Sequence, residues 1–518
     1  MACNRTRLCA AALCCAILFT SCGSTSPTSN ATVPVSGATF SDSAPETLPS
    51  KLILGYSPGA GFNPYLVPSN LVAQNAGLLF EPLVQLTPDM TLEYRLASAI
   101  QCAGEMVLLQ IRPGCTFADG TPISAADAAA SLQAAKDSAM YGPRFANVQQ
   151  ITVKDDIVEI TLEKPDSMFA YLCDIPVLKA ADIGSTTPTA SGRYTYGSGT
   201  GSLVRNERCP FPENCPESIS LTEVSSYEEM VSGLAVGSLN LYASNTADGS
   251  PGFSSRAEYY KTNNLVFIGI NAATQDTQKS PLLAAPAGRS LLSQIINRRN
   301  LAEKSFYSRA YPATGLINGY YECVRENHHI LAENELTPDA AHQQLEALGY
   351  TLDPATGYYQ DAKGQRLSVR LTVYGGSTYK RYAAALLKEQ FADCGLYLEL
   401  DEVSDFDAYA QKIAVGDFDL YIGEVKLYNN MDISPFLEGG QASAGIVQSE
   451  ALLAAYDAFK ADQNAAGTFE EAFAAEMPLI PLVWRTGTVV HGRNISGLSS
   501  SISNIFYSLE GLEFEQAP

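Results

Sequence analysis

Histidine and tryptophan are the scarcest side chains in this 518-residue chain: four His, at positions 328, 329, 342 and 491, and a single Trp at 484. So few imidazoles leave little for general-base catalysis and too few for a histidine metal cage. Cations are short as well, 33 Lys and Arg against 55 Asp and Glu, for a formal net charge of -22. Such an acidic surface repels phosphate backbones and anionic headgroups, which excludes nucleic acid as a partner. No Gly-x-x-x-x-Gly-Lys phosphate loop occurs. Against these gaps, 46% of residues are hydrophobic and 17% charged, enough for a large core spread over two or three domains.

The N-terminus carries an address. Arg5 and Arg7 precede the apolar stretch Leu8 to Phe19, which ends in Thr20-Ser21-Cys22. A dozen apolar residues rise too little as a helix to cross about 30 Å of hydrocarbon, so this reads as a signal peptide over residues 1–21 and not as a span. The arrangement resembles a bacterial lipobox, which implies lipidation of Cys22 and anchoring of the chain in the bilayer; the alternative is an ordinary secretory signal. Removing residues 1–21 takes away two Arg and no acid, leaving a body of charge -24. In 23–49, 15 of 27 residues are Ser, Thr or Pro, so residues 22–49 are expected to be a flexible tether. Its length would hold the body roughly 30 Å from the membrane.

Seven cysteines remain beyond the signal: 102, 115, 173, 209, 215, 323 and 394. Cys209 and Cys215 bracket a Pro-rich loop and could close a small disulfide, with free buried thiols as the alternative; no metal ligand set has suitable spacing.

Along the body, Leu52 to Tyr56 reads as a strand followed by a Gly- and Pro-rich loop. Leu92 to Arg112 and Ile151 to Leu162 read as hairpins, the second turning at Lys154-Asp155-Asp156. Ser124 caps a helix from Ala125, and Thr337-Pro338 starts another. From Leu265 on, strands alternate with helices (Leu367 to Tyr374, Lys380 to Cys394, Leu396 to Leu400, Asp405 to Ala414, Phe418 to Ile422), which argues for an open, mixed α/β sheet. Met477 to Arg485 is a buried strand returning from afar.

A run of motifs carries a resemblance: Leu79-Phe80-Glu81-Pro82-Leu83-Val84, the block Arg112-Pro113-Gly114-Cys115-Thr116-Phe117-Ala118-Asp119-Gly120-Thr121-Pro122, Ser191-Gly192-Arg193-Tyr194, Ala341 to Tyr350, Gly416 to Leu420 and Pro478 to Leu482. Together they resemble the extracellular solute-binding protein family 5, the peptide and nickel receptors of ABC importers, over nearly all of residues 50 to 518. The resemblance implies an α/β, two-lobed periplasmic-binding-protein-like (type II) fold with mixed sheets and an extra subdomain inserted in the first lobe. The first lobe would cover 50–263, including the insert at about 70–180; the second would cover 264–476, and 477–518 would return to the first. A peptide or other small solute would bind between the lobes of a monomer and pass to a membrane permease, with no cofactor and no catalysis.

For the cleft, the resemblance implies Tyr56, Phe62 and Asn63 from the first lobe, Tyr374, Glu424, Lys426, Tyr428 and Asn429 from the second, and Trp484 and Arg485 from the return strand. Aromatic faces would stack on the ligand, and Arg485 or Lys426 would pair a carboxylate. Where peptide receptors carry Gly-Trp and a nearby Asp for the ligand ammonium, this chain has Gly423-Glu424 and Leu427; Glu424 or Asp432 would supply the anion, or the ligand lacks an ammonium. Packing roles for Trp484, Tyr374 and Tyr428, and a solvated pair for Glu424 and Lys426, stay open. Two other functions also stay open: a secreted hydrolase, and a surface lipoprotein that senses a peptide or adheres without transport.

Overall fold

The apolar run Leu52–Tyr56 is buried along most of its length because it pairs in parallel with Ser218–Glu223. Ser202–Arg205 and Tyr194–Tyr196 extend that pair into a four-stranded sheet. These coordinates are a computed structural model describing residues 51–198, 201–244, 255–325, 330–333 and 335–515. The expected signal, tether and Cys22 lie outside the described residues, as does the His328-His329 pair.

A second four-stranded sheet, in the order Ala97–Ala103, Met106–Ile111, Ile157–Leu162, Val148–Lys154, forms the subdomain inserted in the first lobe. Its two hairpins are local. Asp155 and Asp156 both take left-handed backbone angles, φ 49° and 62°, which lets a two-residue turn follow the twist of its strands. The helix Ala125–Asp137 starts at a capping box in which Ser124 and Asp127 satisfy each other's backbone N–H. Leu92–Tyr94 departs from the hairpin reading: it pairs with Val84–Leu86 and not with the strand that follows it.

The second lobe is built on a seven-stranded sheet. From one edge its order is Leu241–Ser244, Leu479–Gly492, Ser255–Ile270, Leu420–Lys426, Ser368–Tyr374 and Tyr397–Val403, with Ala310–Pro312 alongside Leu479–Gly492. The last three strands of that path are mutually parallel, as the strand and helix alternation predicts, and the helices Thr378–Asp393 and Phe406–Ala414 connect them.

Two strands, Ser255–Ile270 of 16 residues and Leu479–Gly492 of 14, are longer than the rest of this sheet. Val489, near one end of the return strand, packs in the first-lobe core with Leu52, Leu203 and Phe506. Val483 and Trp484, toward its other end, pack in the second-lobe core with Phe267, Leu371 and Ile422. The strand pair therefore runs from one core into the other. Each fully buried Leu or Phe in these cores stabilises by about 1.5–3 kcal/mol relative to exposure. No helix among the described residues is long and apolar enough to cross a membrane.

Candidate ligand cleft

The parallel strands Ser368–Tyr374, Tyr397–Val403 and Leu420–Lys426 end on the same edge of the large sheet, the edge where open α/β sheets hold ligands. That edge lies level with a break in the two long strands. Lys261 pairs with Thr486 and Asn264 with Arg485, so Thr262 and Asn263 are extra residues in the ladder. Both are used. The Thr262 hydroxyl donates to the Arg485 carbonyl (2.6 Å), and the fully buried Asn263 side chain donates to Tyr321 (2.8 Å) and Asn429 (3.1 Å).

The chain after Lys426 then meets the inserted subdomain. Asn429 Nδ2 donates to Asp174 Oδ2 (2.9 Å), and Asn430 Nδ2 to Asp166 Oδ2 (2.6 Å). Lys460 pairs with the buried Asp166 at 2.6 Å, and the Tyr171 and Tyr321 rings sit 5.2 Å apart. Leu86, Met90, Met168 and Tyr171 join the second-lobe core from first-lobe segments. These polar bonds and a few apolar side chains span this seam.

Two charged groups stand on Leu420–Lys426, and their surroundings differ. Glu424, 20% exposed, accepts from Lys380 at 2.9 Å and from Arg485 at 3.1 Å, and the Arg485 guanidinium lies over the Tyr379 ring. Burial pushes the Glu424 pKa up, but the two cations outweigh it and hold the carboxylate below its ordinary value. Gly423 before it is required by packing, since a Cβ there would stand 2.4 Å from the Phe267 ring.

Lys426, two residues on, reaches solvent and has no carboxylate within 4 Å among the described residues. Desolvation lowers its pKa and the nearby Arg144 lowers it further, opposed by Asp174. Arg144, 13% exposed, bonds Asp174 through Nη1 (2.8 Å) and lies over the Tyr141 and Phe145 rings at 4.9 and 5.2 Å. Its Nε and Nη2 are buried without an acceptor among the described residues. Each such orphan donor costs about 1–3 kcal/mol. Asp174 cannot take up the surplus charge alone, because it also accepts from Ser503 (2.9 Å) and Asn429; burial raises its pKa, against the pull of Arg144.

The structure divides the sequence candidates. Lys426, Tyr428 and Asn429 lie at the seam, with Tyr428 exposed and its pKa raised by desolvation and by Asp432. Glu424 and Arg485 face each other, so the expected free arginine is already paired and the expected solvated carboxylate is held in a strand. Asp432 is engaged by Ser434 and by Tyr456 (3.0 Å). Trp484 is 0% exposed and part of the second-lobe core, where it offers no face to a solute. Tyr374 packs against Phe406 (5.3 Å) and Tyr409 (6.1 Å).

In the first lobe, Tyr56 donates to Glu223 (2.9 Å), and Phe62 packs between Tyr56 and Tyr196. Asn63 donates to the Ile183 and Ser185 carbonyls and accepts from the Tyr65 N–H. Asn63 is fully buried, so these bonds brace its own lobe.

The Cys209–Cys215 disulfide is a correction: all seven described cysteines are free, and Cys209 Sγ lies 3.3 Å from the Phe211 carbonyl instead. His491 is buried in the return strand, 3.0 Å from the Gly492 carbonyl and 3.7 Å from Glu258. Arg144, Asp166, Asp174, Lys380, Lys460 and Ser503 were missed by sequence reasoning. Arg144 and Asp174 are 30 positions apart, Asp174 and Ser503 329 apart, and no local pattern signals such pairs.

No curated protein matches the chain. Among solved structures, it is similar to a nickel ABC transporter protein from Bacillus halodurans, with a TM-score of 0.70, 15% identity, and coverage of 89% of this chain and 99% of that one. It is similar to the unliganded open form of the periplasmic murein tripeptide binding protein MppA, with a TM-score of 0.69, 15% identity and 90% and 98% coverage. It is also similar to the oligopeptide-binding protein AppA from Bacillus subtilis in complex with a nonapeptide, with a TM-score of 0.54, 15% identity and 90% and 100% coverage. These likenesses establish a two-lobed periplasmic binding protein fold. Residues 103–445 match the model of the bacterial extracellular solute-binding proteins, family 5 (middle), and the chain belongs to that family.

Proposed function

We propose that this chain captures a small solute, an oligopeptide or a similar molecule, between its lobes outside the cell and delivers it to the permease of an ABC importer. It breaks no bond; binding energy drives lobe closure, and a separate ATPase supplies the work of transport. The observation that carries this reading is the bulged strand pair: two strands join the lobes, interrupted at Thr262–Asn263 beside the carboxyl ends of the parallel strands. A ladder broken at that level is where rotation of one lobe against the other costs least.

The lobes are assigned to residues 50–263 and 264–476, with 477–518 completing the first. Cys22 is the lipidated residue, and the Ser/Thr/Pro-rich tether keeps the monomeric body clear of the membrane. Lys426, Tyr428 and Asn429 are its ligand-facing candidates.

Native mass spectrometry of the protein purified from its own cells, followed by denaturation and identification of the released molecule, tests the reading. A stoichiometric small solute, together with a smaller radius of gyration when it is added back, is the expected result. Turnover of that solute, or an unchanged scattering profile on adding it, would overturn the proposal.

A further inference from the structure

We propose that Lys460, Asn430 and Asp166 form a self-modification site, at which the Lys460 amine and the Asn430 side-chain amide condense into an intramolecular amide bond while Asp166 relays the proton. The three side chains come to the seam from distant parts of the chain. Asp166 Oδ1 lies 2.6 Å from Lys460 Nζ, and Asp166 Oδ2 accepts from Asn430 Nδ2 at 2.6 Å. Lys460 Nζ also donates to the Asn430 main-chain carbonyl at 3.1 Å, which sets the amine against the residue whose amide it would attack. One carboxylate thus holds an amine and an amide side by side, the arrangement that proximity-driven acyl transfer requires.

The surroundings favour reaction over a resting ion pair. The Asp166 and Lys460 side chains are 2% and 12% exposed, and Asn430 is buried. Met168, two residues after Asp166, and Phe459, next to Lys460, are fully buried in the second-lobe core. Charge in such an enclosure is costly, and passing the Lys460 proton to Asp166 removes two charges at once. The neutral amine is then a nucleophile and the protonated Asp166 a donor. Asn430 Oδ1 is buried with no partner among the described residues. Turning the amide about its Cβ–Cγ bond exchanges Nδ2 for Oδ1 in front of Asp166, whose proton polarises the carbonyl. Nζ then adds to Cγ, the Cγ–Nδ2 bond breaks, and Nδ2 departs as ammonia with a proton taken from Nζ through Asp166. One amine and one primary amide give one secondary amide and ammonia, and nothing is oxidised or reduced. The bond would tie the segment after Leu420–Lys426, which carries Tyr428 and Asn429, to the end of the helix Glu450–Ala461. Because Asp166 comes from the inserted subdomain, the bond would form only in a chain whose seam has assembled.

The test is peptide mass spectrometry on the full chain purified from its own cells. No Lys or Arg lies between Lys426 and Lys460, so trypsin acting on an unlinked chain releases 427–460. With the bond in place Lys460 is no longer a cleavage site, and the fragment 427–485 is expected uncut at Lys460 and lighter by about 17 Da, the mass of ammonia. Cleavage after Glu438 and Glu450 is expected to leave the peptides containing Asn430 and Lys460 joined to each other. Lys460→Arg keeps a positive charge facing Asp166, and Asp166→Asn keeps the shape with amine and amide both present; each variant is expected to lose the mass difference. Complete cleavage after Lys460 in the wild type would overturn the proposal. So would a loss of ammonia with Lys460 still cut, which marks a succinimide at Asn430. A bond that persists in Asp166→Asn would overturn the proton-relay role.

Discussion

Glu424 and Lys426 stand two residues apart on one strand, yet one sits in a closed charge cluster and the other in an open one. Around Glu424, two cations from a helix and from the return strand meet one carboxylate, and each has its partner in place. Around Lys426, Arg144 brings a second positive charge, and the Asp174 carboxylate beside it is already shared three ways. The first arrangement holds a lobe together. The second leaves two buried donors, Arg144 Nε and Nη2, without an acceptor among the described residues. Residue type alone does not separate these roles; the count of partners does.

The sharpest way to break this comparison is to open the closed cluster. Glu424→Ala leaves Lys380 and Arg485 facing each other without an anion, and urea unfolding is expected to show a loss of about 3–5 kcal/mol. A loss below 1 kcal/mol, on the order of a surface ion pair, would mean the cluster is less closed than its distances indicate.

A third carboxylate extends the contrast to pH. Glu470 is buried in the helix Ala466–Glu476 and accepts the N–H groups of Leu316 (3.0 Å) and Ile317 (2.5 Å); desolvation, partly offset by those bonds, raises its pKa from 4.5 to about 7. Its folded form therefore holds a proton that the unfolded chain gives up, and stability from this group is full below about pH 4.5 and is lost as pH rises through 7. The full loss is about 3 kcal/mol. Glu424, with its pKa lowered, has the opposite sign: its contribution is present above the ordinary carboxylate range and vanishes in acid. Melting temperature against pH, in wild type and in Glu470→Gln, checks both, and the variant is expected to lose the decline between pH 4.5 and 7.

Smaller effects follow at the open cluster. Lys426 is exposed at the end of its strand and has no carboxylate within 4 Å among the described residues. Lys426→Met is therefore expected to leave stability at pH 7 within about 0.5 kcal/mol of the wild type or slightly above it, as for a surface change. A marked loss would place Lys426 in the scaffold. Smallest of all, Cys209→Ser is expected to change stability by under about 0.5 kcal/mol, and reducing agent should not move the melting temperature. A drop on reduction would restore the disulfide.

Much of the scaffold was legible because its signals are local. The capping box at Ser124 and Asp127, the Thr337-Pro338 helix start and the strand and helix alternation after Leu265 each lie within a short window and took the predicted form. Boundaries moved by two to four residues, as with Leu420–Lys426 against the expected Phe418 to Ile422, because the pairing partner and not the apolar run sets where a strand ends. The cleft was legible only in part. Lys426 and Asn429 could be placed near it, but whether Arg485 or Trp484 is available depends on Glu424 and on the core behind it, neither of which has a sequence signature. Asn63, polar and in a Gly- and Pro-rich loop, looked like a contact residue and proved to be a loop clamp, since its amide group has partners at Ile183, Ser185 and Tyr65.

Asp174 gathers its donors from positions 144, 429 and 503, and Ser503 also binds the Leu86 N–H, more than 400 residues upstream. A ribosome releases those donors in order, minutes of growth notwithstanding, and the last of them arrives with the final stretch of chain. Until then the N-terminal half lacks both that hydroxyl and the apolar side chains of Val489, Leu498 and Phe506 that complete its interior. A chain cut before Val489 would lack both, so truncation of this C-terminal stretch is expected to open the interior of the N-terminal half.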